Sequence, residues 1–237
     1  GVLIQVAAIS IEGGDTLNRL GGEMAATPHI VGYQCAGTIV AVGDGVTDDT
    51  AAIQAAIDAC PEGGTVYFPV GEYKVSTLSV TTSIHLRGSG WSHGGINAAF
   101  GNAQWTTLSN FAGSVIVCSN TTTRGLYLLP TSQRPVFVSD LMVLGPGTGT
   151  SVGIEMGTAA SAVLTSHLQN VLVANFATGW RGYFVEDCTF ISCTARGCST
   201  GFSLSDSSNQ NVFVNTEVQF STVNSILLAG SGGNSFY

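Results

Sequence analysis

Charge is scarce in this chain. Seven Lys+Arg and fifteen Asp+Glu amount to 9% of 237 residues and leave a net charge of −8. So small a basic complement lacks the footprint that nucleic acid requires and offers nothing to an anionic membrane surface. A strongly anionic polysaccharide would also meet an unfavourable field unless cations or a local arginine patch intervened. Long apolar runs are missing too. None approaches the roughly 18 residues of a membrane span, so no membrane insertion is expected. The opening GVLIQVAAISI is short and lacks the basic start of a signal peptide. Metal-ligand spacing is likewise missing. Cys35, Cys60, Cys118, Cys188, Cys193 and Cys198 form no Cys-x-x-Cys, and His29, His85, His93 and His167 form no ligand pair. No zinc site is therefore expected, nor any other metal or cofactor. Buried free thiols are expected in preference to disulfides, which suits assembly in a reducing cytosol.

What the chain does have is apolar, uncharged bulk: 44% hydrophobic residues and 31 glycines. That is not a disordered composition, which needs low hydrophobicity and high net charge. Abundant Gly, Ser, Thr and Asn with little charge fits a β-rich solenoid with polar, uncharged flanks.

One stretch organises the rest: GDGVTDDTAAIQAAIDACPEGGTVYFPVGEYKVS, residues 43–76. Thr47 or Asp48 offers a helix cap, and Asp48 and Asp49 place negative charge at the positive end of the helix dipole. Ile53, Ala56, Ile57 and Cys60 recur at i, i+3, i+4, i+7 and form one apolar stripe. Pro61 and Gly63-Gly64 stop the helix, and Thr65 to Phe68 reads as a strand. Asp44, Asp48 and Asp49 are read as turn and cap residues, because an EF-hand loop would need further ligands and a closing Glu. A lone amphipathic helix ahead of a long β-rich chain points to a cap over the open end of a β-structure.

Gly43-Asp44-Gly45, Asp48-Asp49-Thr50, Ala52-Ile53, Ala56-Ile57, Gly63-Gly64-Thr65-Val66, Pro69, Gly71, Tyr73 and the later Leu86-Arg87-Gly88 resemble the opening of the pectate-lyase-like superfamily, as found in phage tailspikes, polygalacturonases and alginate epimerases. The resemblance covers about a fifth of the chain. It implies an all-β fold, a right-handed parallel β-helix (a solenoid) with an N-terminal capping α-helix. Because one fold hosts many chemistries, it implies little about reaction.

Three regions are expected. Residues 1–40 form a neck or adaptor, or the irregular first coil of the same domain. Residues 41–76 form the cap motif, with its helix at about 48–60. Residues 77–237 form the β-helix coils, expected to be incomplete at the C-terminus. The start at Gly1 and the stop at Phe236-Tyr237 read as those of a fragment, and an uncapped last strand edge is a liability that a continuing chain or a partner would cover.

The last third carries an internal repeat, the signature of stacked architectures. Leu168, Phe190, Phe213 and Phe236 follow in steps of 22, 23 and 23 residues. The same offsets align Asn170, Ser192 and Asn215, then Val173, Ala195 and Val218, then the turn residues Gly179, Gly201 and Asn224. Each coil of such a solenoid buries its inner face only with its neighbours. The columns predict a buried aromatic stack through Phe190, Phe213 and Phe236 and an aliphatic one through Val173, Ala195 and Val218.

Period-two alternation sends Leu172, Thr194 and Glu217 outward in one column, and Ala174, Arg196 and Gln219 in the next. Glu217 and Arg196 become diagonal neighbours, the candidate catalytic pair, with a surface ion pair worth under about 1 kcal/mol as the alternative. A glycosidase needs two carboxylates about 5–10 Å apart, and Glu217 has no acidic partner in these columns. Glu186 and Asp187 are consecutive and point to opposite faces, Asp206 lies in a Ser-rich turn, and Asp140 and Glu155 lie in a coil whose register the repeat does not fix. The Tyr-Gly-x-Asp-Pro-His motif of the epimerase branch is missing, so the chain departs from the enzymatic branches where their catalytic residues belong. The loop of residues 88–105 carries Trp91, His93 and Trp105, a candidate carbohydrate contact; packing of both indoles against the β-helix is the alternative, since Trp is highly buried on average.

Resemblance to tailspikes implies a structural and receptor-binding role: a homotrimer on a virion tail, joined to other tail or baseplate proteins and recognising a host surface polysaccharide. The second expectation is a secreted or virion-borne polysaccharide-degrading enzyme, a lyase or glycoside hydrolase.

Overall fold

The computed structural model describes residues 4–10, 34–39, 44–93, 111–131 and 134–237. Its strands stack into a parallel β-solenoid of about seven turns, with few helices, as expected of the right-handed β-helix. Residues 1–40 lie mostly outside the described residues; within them Ile4–Ser10 and Gln34–Ile39 pair antiparallel.

The solenoid has three faces. The first is a six-stranded parallel sheet of Leu78–Val80, Arg124–Leu128, Val152–Met156, Thr178–Tyr183, Thr200–Ser205 and Asn224–Ala229. The second and third belong to one 13-stranded sheet, because two of its strands, Phe137–Leu144 and His167–Ala174, bend from one face to the other. The bend is a single left-handed residue: Asp140 at φ 57° and Asn170 at φ 52°. Ser192 (φ 51°) and Asn215 (φ 49°) repeat it in the next coils, where short polar side chains tolerate this conformation best. They also bond up the stack: Asn170 Nδ2 donates to Asp140 Oδ1 at 2.8 Å, and Asn215 Nδ2 to Ser192 Oγ at 3.1 Å.

The cap helix spans Thr50–Ala59, with Asp49 as its N-cap residue. The N-cap side chain makes no capping bond; the preceding Asp48 carboxylate accepts from the backbone N–H and the hydroxyl of Thr50, the first helical residue. These bonds hold the Asp48 carboxyl below its usual range, whereas burial raises that of Asp49. Ile53 and Ile57 are buried in the main core, and Cys60 packs against it. Gln54 completes the lid. Its amide donates to Ser79 O and accepts from Ser79 N, both at 2.8 Å, so a side chain satisfies the strand edge that a preceding coil would otherwise pair.

The repeat register holds in three dimensions. Leu168 pairs with Phe190, Phe190 with Phe213 and Phe213 with Phe236. The Phe190–Phe213 and Phe213–Phe236 rings stack at 4.6 Å, near-parallel. Val173, Ala195 and Val218 align as expected. Phe236 departs from the expected burial. It ends the stack and is 44% exposed, whereas Phe190 and Phe213 are 1% exposed. The register also slips at one point. Thr200 pairs with Asn224, so Gly201 aligns with Ser225 and not Asn224; one more residue occupies the preceding turn, where Phe220 takes φ 56°.

Gly179 and Gly201 are strand residues rather than turn residues. Together with Gly125 and Gly153 they form one inward column on the first face. A Cβ on Gly153 would lie 2.2 Å from Val173 Cγ1, and one on Gly201 2.5 Å from Val218 Cγ1. The third face approaches the first so closely here that no side chain fits. Cys118, Cys188, Cys193 and Cys198 are buried free thiols in the same interior.

Candidate functional site

The outer side of the third face carries the predicted pair, in a setting different from the one expected. Leu172 and Ala174, placed outward by alternation, are fully buried. With Val115, Met142 and Leu144 they form a second apolar cluster outside the sheet, against which Trp91 packs. Thr194 and Arg196, expected on an open flank, are also buried. Only the Glu217 end of the column opens to solvent.

There Glu217 Oε2 lies 4.0 Å from Arg196 Nη2, with the carboxylate side chain 54% exposed and the guanidinium 8%. Gln219 Nε2 donates to the other oxygen, Glu217 Oε1. Burial pulls the Arg196 pKa below its usual value, and the neighbouring Glu217 charge acts in the opposite sense. Trp91 is half-buried and its indole N–H donates to Asn170 O at 2.8 Å. Trp91, Asn170, Ser192, Asn215, Glu217 and Tyr237 line one shallow cleft of about 500 Å³. Two predicted sites, the Trp91 contact and the Glu217 carboxylate, therefore share a cleft. Its rim is the ladder of left-handed polar residues, whose amides and hydroxyls are the groups that bond sugar hydroxyls. Trp105 lies outside the described residues, and of His93 only its place in the strand Trp91–His93 is described.

Glu186 pairs with Asn209 at 2.7 Å, and Asp187 and Asp206 occupy left-handed turn positions (φ 53° and 50°) between the first and second faces. None shares the third face with Glu217. Among the described residues the cleft thus presents one carboxylate beside one cation, without the second carboxylate that two-carboxylate hydrolysis uses.

A second constellation escaped the sequence reading. On the outer side of the first face, Tyr127, Glu155, Arg181 and Ser203 fall in one column. Glu155, its side chain 5% exposed, holds Arg124 Nη2 at 2.7 Å and Arg181 Nη1 at 3.4 Å. The Arg124 guanidinium lies 4.2 Å from the Tyr127 ring centroid, a cation–π distance. Burial raises the Tyr127 pKa, with Arg124 opposing. A buried charge persists only when paired; here one carboxylate meets two guanidiniums, so the cluster keeps a net positive charge on an otherwise acidic protein. Its spacing hid it. Tyr127 to Glu155 is 28 residues and Glu155 to Arg181 is 26, longer than the 22–23 of the legible coils.

Residues 38–124 match a family described as rhamnogalacturonase A/epimerase, pectate lyase-like, which supports the pectate-lyase-like superfamily for that stretch. The chain is 53% identical over 60 residues to mannuronan C5-epimerase AlgE2 of Azotobacter vinelandii, a match covering 21% of this chain and 6% of that enzyme's length. Among solved structures it is similar to ORF18 of Geobacillus virus E2 (TM-score 0.48, 19% identity, 73% of this chain and 39% of that one). It is also similar to the A-module of mannuronan C-5 epimerase AlgE6 of Azotobacter vinelandii (TM-score 0.46, 21% identity, 83% and 56%).

Proposed function

We propose that this chain is the carbohydrate-recognising β-helix of a virion tailspike or tail fibre, working as a homotrimer that docks on a host surface polysaccharide. The observation that carries the reading is the cleft that brings Trp91, Glu217 and the Asn170–Ser192–Asn215 rim together across successive coils. An indole face, a single exposed carboxylate and a row of amides and hydroxyls are the groups a glycan contact uses. The test is titration of the chain with host surface polysaccharide, followed by Trp fluorescence. Trp91→Ala is expected to weaken binding at least tenfold, and unchanged binding overturns the reading. Mass measurement at micromolar concentration is expected to give a trimer; a monomer of the full natural chain counts against the spike and favours a secreted protein.

A second reading, a polysaccharide-modifying enzyme on a virion or secreted, draws support from the epimerase match and from the Glu155–Arg124–Arg181–Tyr127 cluster. A guanidinium pair beside a tyrosine suits a sugar carboxylate. Incubation with the polysaccharide, assayed for new reducing ends and for the ultraviolet absorbance of an unsaturated sugar, decides between them. Activity abolished by Glu217→Gln at unchanged melting temperature makes the cleft an active site; activity abolished by Arg181→Ala alone moves the chemistry to the first face.

A further inference from the structure

The second face, separated from the cleft by the left-handed ridge, carries an aromatic ladder that the reading above leaves without a role. His85, Phe137 and His167 occupy one outward column on consecutive coils. Phe137 and His167 stack at 5.4 Å with 7° between ring planes, and His85 meets Phe137 edge-on at 6.1 Å. Phe137 is 39% exposed at the middle of a sheet face. Two residues further along the strands, about 6.8 Å away, the next outward column is polar: Arg87, Ser139 and Gln169. His85 Nε2 and Ser139 Oγ are 2.9 Å apart, which ties the two columns. Asp140, at the ridge, closes the end. Together these side chains enclose a shallow groove of about 230 Å³, below the 300–1,000 Å³ of sites for drug-sized ligands and suited to a single ring.

We propose that this groove is a further glycan subsite, in which one neutral hexopyranose packs against the outer edge of Phe137 with its hydroxyl edge toward Arg87, Ser139, Gln169 and Asp140. The proposal rests on the carbohydrate reading of the chain and extends it to a second face. The chemistry runs from the shape of the ligand. A pyranose offers an apolar C–H face, which contact with the exposed apolar edge of Phe137 removes from water, and a rim of hydroxyls that need both donors and acceptors. The groove supplies an apolar floor one ring wide, donors from Arg87 and Gln169, an acceptor in Asp140, and Ser139 as either. Arg87 and Asp140 offset each other in charge, which favours a neutral sugar over an acidic one.

The experiment follows the imidazole C–H signals of His85 and His167 by NMR in the full chain. The probes are methyl glucopyranoside, methyl mannopyranoside and methyl galactopyranoside at millimolar concentrations, with sodium glucuronate as the acidic comparison. At least one neutral glycoside is expected to shift both histidine signals saturably, more strongly than glucuronate. Phe137→Ala is expected to weaken that response at least tenfold, and Phe137→Tyr to retain it, both at parent melting temperature. No shift with any neutral glycoside, an equal response in Phe137→Ala, or a preference for glucuronate overturns the proposal. So does self-association that Phe137→Ala abolishes, which gives the face to a second copy. Polysaccharide that changes Trp91 fluorescence while leaving the histidine signals unmoved refutes this subsite and leaves the cleft intact; the reverse pattern refutes the cleft alone.

Discussion

Replacing Gly153 by alanine tests the packing of the solenoid where its first and third faces meet. The residue is not in the left-handed region, so by the usual rule the change should stabilise the protein by about 0.4–1 kcal/mol, because alanine restricts the unfolded chain. The structure reverses the sign. The new Cβ would sit 2.2 Å from Val173 Cγ1, 2.7 Å from Gly179 O and 3.0 Å from Phe176 Cδ2. The carbonyl cannot yield without disturbing the ladder to the next coil, and Val173 is itself fully buried. Overpacking of this kind costs about 1–3 kcal/mol, which at the midpoints of the two ranges leaves a net loss of about 1.3 kcal/mol after the entropic gain. In a protein of this size that lowers the melting temperature by about 3–5 °C. Gly232→Ala is the control, since a Cβ there meets nothing within 4 Å; it should change stability by less than about 0.5 kcal/mol. Thermal unfolding followed by far-ultraviolet circular dichroism measures both. A Gly153→Ala variant that melts with or above the parent would refute the claim that this column is closed to side chains.

Ile57→Asp buries a carboxylate among the core residues under the cap, where Ile57 is 2% exposed; the variant should lose several kcal/mol, and an unchanged melting temperature would show that the helix does not act as a lid. Phe213→Ala removes the middle ring of the stack and should cost about 3–5 kcal/mol, felt first as faster hydrogen exchange in the strands Thr189–Ile191 and Val212–Val214; uniform loss across the chain would speak against coil-by-coil stability. His85 has its pKa lowered by burial first and by Arg87 second. The folded state therefore binds fewer protons than the unfolded one, so this residue's stabilising contribution is present above the unfolded value near 6.5 and is lost as pH falls below it. His85→Gln should flatten that part of the pH–stability curve, and an identical acid limb in parent and variant would refute the assignment.

The aromatic column was legible because Phe190, Phe213 and Phe236 recur with nearly constant spacing, and constant spacing is what stacked coils impose. The glycine column was half legible. Gly179 and Gly201 align in the repeat, but their reason, contact with Ala195 and Val218 across the interior, requires knowing how near the faces lie. The shift from Asn224 to Ser225 opposite Gly201 came from one extra turn residue, which periodicity cannot detect at the last repeat. Glu155 and its arginines were hidden because turns of differing length separate them. The burial of Leu172 and Ala174 was hidden for another reason: alternation assigns a residue to the outer side, yet cannot tell that Trp91 comes back to pack there. Gln54 lies off the apolar stripe of the cap helix, and its role shows only once Ser79 stands opposite it.

The buried thiols give the solenoid built-in clocks. Burial raises Cys118, Cys188 and Cys193 to about 12 and Cys198 to about 11, so the nucleophilic thiolate is essentially unpopulated while the coil around it stays closed. An alkylating reagent can then mark each sulfur only when its own coil opens. Cys118 lies on the strand Phe111–Cys118 toward the lid, and Cys188, Cys193 and Cys198 lie together in a single later turn that follows the strand Val185–Glu186. The order in which mass spectrometry finds them labelled reads out, without any introduced probe, the end from which the protein unzips.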